Sequence, residues 1–98
     1  MIIKVTKYDI ERGTAKRCRE CPVARAMNRV IRWPFIAAVG SQLRIVLPQS
    51  ASNPIYKRVW RTEAPDDVIA FITEFDHGIG VGPIEFELDI PKEYCRED

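Results

Sequence analysis

At 98 residues and 46% hydrophobic content, the chain is long enough for one domain near the small end of what folds unaided, residues 1–98. No apolar run approaches bilayer length and Lys4 interrupts the apolar start, so neither a membrane span nor a signal peptide is expected, which implies a cytosolic chain with reduced cysteines; an odd count of three cysteines also argues against a disulfide scaffold. The net charge of +1 hides a split: residues 1–61 carry thirteen of the fifteen Lys/Arg against three acids, while residues 62–98 carry two cations against eleven acids, which points to internal charge matching or to two faces with different partners.

The β-branched start predicts a strand over 2–5. Thr6 then N-caps a short helix, with Asp9 at the capping-box position and Gly13 suited to a left-handed C′. After a polar connection, Cys21-Pro22 opens a second helix that runs until Pro34 forbids it at Trp33. Val23, Ala26, Met27, Val30 and Ile31 form its apolar stripe, and Arg25, Arg29 and Arg32 share another face. Residues 35–39 and 42–47 flank Gly40-Ser41 as a hairpin with a type II′ turn. A small-residue loop follows at 48–54, then an alternating strand over 55–62.

A longer helix is expected over 64–78. Pro65 takes N1, Asp66 and Asp67 favour its positive start, Gly78 takes C′, and Val68, Ile69, Ile72 and Phe75 face inward. In the last strand Ile84, Phe86, Leu88 and Ile90 alternate with outward Glu85, Glu87 and Asp89. The tail from Lys92 is expected to fray. The order β-α-α-β-β-β-α-β predicts an α+β fold: a mostly antiparallel sheet of about five strands with helices on one face.

Cys18-x-x-Cys21 supplies two of the four ligands a zinc knuckle needs, with Cys95 and His77 as distant candidates for the rest. A thioredoxin-like dithiol needs its nucleophile at the helix start and its second cysteine inside the helix. Here Pro22 places Cys21 at the N-cap and Cys18 outside, so packing as small hydrophobes is the favoured reading. Arg12, Lys16, Arg17, Arg19, Arg25, Arg29 and Arg32 are seven cations, and Glu20 is the one acid between Arg12 and Trp33. Lys16, Arg17 and Arg19 precede a helix start, and phosphate suits arginine forks. The competing reading is a solvated face beside the acidic half. Tyr56, Arg58 and Trp60 share one strand face, as a base-stacking platform or with Trp60 in the core. No nucleophile stands at a recognisable catalytic spacing, and the GIGVGP stretch leads into a strand instead of a helix, so no catalytic residue, metal or cofactor is expected.

The stretches TKYDIERG, CRECPVARAMNR and FITEFDHGIGVGPIEFEL together resemble a family of small proteins from bacteriophage and prophage genomes. The matching positions are Thr6, Asp9, Ile10, Gly13, Cys18, Cys21, Pro22, Ala24, Ala26, Phe71, Phe75, Asp76, Gly78 and Pro83. The hairpin region 34–62 is outside the match, Cys95 has no counterpart in the pattern, and no residue roles are carried over. The resemblance implies a viral accessory protein acting in the host bacterial cytoplasm. The expected function is a non-enzymatic counter-defence binder of a host defence protein or of a phosphate-bearing nucleotide messenger. The expected ligand-binding residues are Lys16, Arg17, Arg19, Arg25, Arg29, Arg32, Tyr56, Arg58 and Trp60. A nucleic-acid-binding factor using the same patch is the alternative, and a zinc-stabilised interaction module the third. An exposed strand edge would suit a homo-oligomer.

Overall fold

The computed structural model describes residues 1–48 and 56–96; most of the expected 48–54 loop lies outside them. The order is β1 (Ile2–Val5), α1 (Lys7–Arg12), α2 (Pro22–Asn28), β2 (Ile36–Val39), β3 (Gln42–Pro48), β4 (Tyr56–Glu63), α3 (Asp66–Asp76) and β5 (Ile84–Glu87), then a 3₁₀ turn at Lys92–Tyr94. Among the described residues this is the α+β class read from the sequence, with five strands, every strand pairing antiparallel, and helices on one face. The strands divide into two sheets, β1-β5 and β2-β3-β4. Helix α2 packs on β1, β2 and α1, and so joins the two sheets.

The core follows the period of each element. Ile3 and Val5 alternate with exposed neighbours on β1, and on α2 the buried residues are Val23, Ala24, Ala26, Met27 and, beyond it, Ile31. On α3, Val68 and Phe71 are buried and Ile72 packs against the core, while Ile69 is exposed and Phe75 is half-buried, stacked on Phe71. Phe86, Leu88 and Ile90 are buried and Glu85, Glu87 and Asp89 exposed, as the alternation requires. Gly78 takes the expected left-handed backbone (φ 74°) after α3.

Four local expectations give way. Gly13 is extended (φ −72°), not left-handed; a Cβ there would sit 2.6 Å from Cδ of Pro22, so close approach is what requires glycine. Gly40 does not take the positive φ of a type II′ turn; its N–H donates to the Gln42 carbonyl at 3.0 Å. Helix α2 stops at Asn28 and does not reach Trp33. The Val30 and Ile31 N–H groups still donate to the Met27 carbonyl (3.0 and 3.1 Å), but the Arg32 N–H turns to the Tyr94 carbonyl (2.8 Å), and the Asn28 side chain accepts from the Ala37 N–H (2.8 Å). The tail is not frayed as far as Arg96. Tyr94 packs edge-on against Phe35, and the Arg96 N–H donates to the Val30 carbonyl (2.9 Å).

A β-bulge interrupts β4. Ile45 pairs with Trp60 and Val46 with Arg58, so Val59 is an extra residue. Val59 and Trp60 both pack against the core, whereas Arg58 and Arg61 are exposed. The expected common face of Tyr56, Arg58 and Trp60 is therefore broken between Arg58 and Trp60.

Candidate anion-binding cleft

The cleft is built outward from one buried acid. Asp9 is the third residue of α1 and only 2% exposed. Its Oδ2 accepts from the Thr6 N–H (2.9 Å) and the Thr6 hydroxyl (3.1 Å), and the Asp9 N–H returns to Thr6 Oγ1, completing the capping box. The same carboxylate receives both terminal nitrogens of Arg29 and lies 3.8 Å from Nε of Arg25. A charge that is this buried needs such partners. Asp9 thus fixes the start of α1 and ties it to the arginine face of α2.

Around this anchor opens a depression of about 480 Å³ with Tyr8, Arg12, Arg19, Arg25, Arg29 and Arg96 in its wall. Five guanidinium groups share it with two acids, Asp9 and Glu20. The exposed ring of Tyr8 lies under Arg12 (5.1 Å from Cζ to the ring centre) and Arg25 (5.6 Å). Arg96 is held against the end of α2, its Nε donating to the Ile31 carbonyl at 3.1 Å. Nε of Arg25 is buried and, among the described residues, has no hydrogen-bond partner. The loop ahead of α2 closes the far side through the Thr14 N–H and the Glu20 carbonyl (2.8 Å).

Of the residues expected from sequence, Arg19, Arg25 and Arg29 meet here. Lys16 and Arg17 instead border a shallow depression of about 130 Å³ with Cys18, Cys21, Val39 and Asp76, where the Lys16 N–H donates to Asp76 (2.9 Å). Arg32 faces away, its Nε donating to the Glu93 carbonyl (2.6 Å). Tyr56 touches the cleft wall through Arg19, whose Cζ lies 4.2 Å from the ring centre; Arg58 and Trp60 do not line the cleft. Nor is the start of α2 an open anion cradle. Cys21, Pro22, Val23 and Ala24 are all buried, and the Ala24 N–H donates to Cys21 Sγ (3.4 Å). Burial pushes the Cys21 thiol above its ordinary range, against the pull of the Ala24 and Val23 N–H groups.

The basic run includes Arg12 without placing it in the site, Asp9 is expected only as a cap, and Tyr8 and Arg96 carry no expected role. The spacing of Tyr8 and Arg12, four residues apart on a helix, was a usable signal. The pairing of Asp9 with Arg29 and the return of Arg96 had none. Among the described residues, no Lys or Arg side chain of the first 61 residues forms an ion pair with an acid of the last 37, so the charge split is not resolved by internal pairing there. Among the described residues no group of three or more His, Cys, Asp or Glu is arranged to hold a metal ion, and no helix is long and apolar enough to cross a membrane. No protein-family model, curated protein or solved structure matches the chain.

Proposed function

We propose that this chain is a non-enzymatic phage accessory protein of counter-defence type, acting in the bacterial cytoplasm, whose arginine cleft sequesters a phosphate-bearing nucleotide. The observation that carries the reading is the convergence of Arg12, Arg19, Arg25, Arg29 and Arg96 on one depression with two acids in its wall. Arginine forks bind phosphate by charge-assisted, often bidentate hydrogen bonds. A volume of about 480 Å³ falls in the range of small-molecule sites. The guanidinium planes supported by Tyr8 offer flat surfaces on which a base can stack.

The roles differ among the arginines. Arg29 is neutralised by Asp9 and supports the wall; Arg25 shares that acid through Nε at 3.8 Å, and Arg12, paired with no acid among the described residues, joins it in flanking Tyr8. Calorimetry against a panel of linear and cyclic nucleotides, with inorganic phosphate as reference, tests the proposal. Mass spectrometry of small molecules released on denaturation of protein from defence-positive cells identifies the ligand. Arg12→Gln with Arg25→Gln is expected to weaken nucleotide binding at least about tenfold per lost charge-assisted bond, with the fold retained. Unchanged binding in that variant, or no binding across the panel, overturns the reading.

A further inference from the structure

The outer face of the β2-β3-β4 sheet carries a second basic surface, created by the bulge in β4. Side chains alternate along a strand, so residues 58 and 61 would point to opposite faces in a regular one. The extra residue Val59 resets the phase, and Arg58 and Arg61 emerge together. Register partners share a face, which places Arg44 beside Arg61 and Val46 beside Arg58, with Ala38 and Ile36 opposite them on β2. Ala38 and Val46 are buried yet stand outside the core cluster, as expected for residues on the far side of the sheet.

Three features of this face stand apart from ordinary surface. Arg44 and Arg61 are like charges directly opposite each other, an arrangement that destabilises a sheet unless something offsets it. Among the described residues, none of Arg44, Arg58 and Arg61 pairs with an acid; the carboxylate on the face, Glu63, is engaged by Gln42 (2.9 Å). Nε of Arg44 is buried and, among the described residues, has no hydrogen-bond partner. Tyr56 continues the row two residues before Arg58 in unbroken register, and its ring carries Arg19. At about 3.3 Å per residue, the row from Tyr56 to Arg61 runs about 17 Å along one strand. That is a linear array of cations ending in an aromatic ring, suited to a chain of phosphates with unstacked bases more than to one compact anion.

We propose that this face binds the backbone of a single-stranded nucleic acid, with Arg44, Arg58 and Arg61 on phosphates and Tyr56 under a base. The surface is separate from the nucleotide cleft, and Arg19 is the residue that touches both. The test is fluorescence anisotropy of a labelled oligothymidylate of about fifteen nucleotides, titrated at about 50 and about 200 mM salt. Arg58→Gln with Arg61→Gln is expected to lower affinity at least roughly tenfold and to shrink the salt slope by about 1.4, two phosphate contacts on a single strand. Tyr56→Leu is expected to lower affinity while leaving that slope unchanged. The cleft variant Arg12→Gln should bind the oligonucleotide like the wild type, so failure here and failure of the cleft reading are told apart.

Wild-type affinity in the double variant, or no binding by the wild type, overturns the proposal. So does loss confined to Arg12→Gln, which would move the strand into the cleft. Equal competition by polyglutamate would reassign the face to an acidic protein, and equal binding of duplex DNA would reassign it to a duplex. Should the double variant unfold, Arg58→Gln alone gives the same reading, with about half the slope change.

Discussion

Replacing Asp9 by Asn removes one charge from the point where α1, α2 and the cleft meet. The change keeps the shape of the side chain and one acceptor oxygen, so what it deletes is the ionic part of the Arg29 contact and part of the capping box. The N-cap bond, from the Asp9 N–H to Thr6 Oγ1, is untouched; what weakens is the set of bonds to the charged Oδ2, about 1.5–3 kcal/mol for a hydrogen bond to a charged group. The Arg29 side chain is 48% exposed and regains water when released, which puts the total near about 2 kcal/mol. For a domain of this size that is a fall in Tm of about 8–16 °C, at roughly 4–8 °C per kcal/mol. Thermal unfolding followed by circular dichroism measures it, with Thr6→Ala as the control for the cap alone. A double-mutant cycle with Arg29→Gln should return a coupling of at least about 1 kcal/mol. A Tm within a few degrees of the wild type, or strict additivity of the two substitutions, would refute the reading of Asp9 as the anchor.

Gly13→Ala is expected to destabilise the domain by about 1–3 kcal/mol in chemical denaturation, because the new methyl meets the rigid Pro22 ring at 2.6 Å and not a flexible chain end. The thiols should separate cleanly: iodoacetamide labels exposed Cys18 in the native protein, and buried Cys21 only on unfolding. Because the folded-state pKa of Cys21 is raised, the unfolded chain gives up that proton first, so stability is full below the ordinary thiol value and declines as pH rises through it. Denaturant midpoints measured across that alkaline window should fall for the wild type more than for Cys21→Ala.

The class of fold and the faces of the elements were legible because they rest on local signals. Thr6 and Asp9 announce a capping box, Gly78 ends a helix in the left-handed region, and Ile84 to Ile90 alternate without a break. What escaped depends on partners far along the chain. The chain leaves α2 where the Arg32 N–H turns to Tyr94, and the order in the tail rests on Val30 and Phe35. The Tyr56, Arg58 and Trp60 face failed on one inserted residue, since a bulge is a property of a strand pair and a lone strand's periodicity does not reveal it. For the cleft, residue type was readable and grouping was not. Of the expected cations, Arg19, Arg25 and Arg29 converge, while the Arg32 side chain is held by the Glu93 carbonyl and the Lys16 backbone by Asp76.

The docked segment around Arg96 has a consequence for the order in which the domain assembles. Tyr8 through Arg29 are near neighbours in sequence, so the floor of the cleft forms from contacts with little loop to close. Arg96 reaches Ile31 across 65 positions, so this wall closes over a much longer loop than the floor does. Local opening of the segment from Lys92 to Arg96 would remove the wall and leave the floor in place, so loss of cleft affinity without loss of the core is the expected mark of that opening.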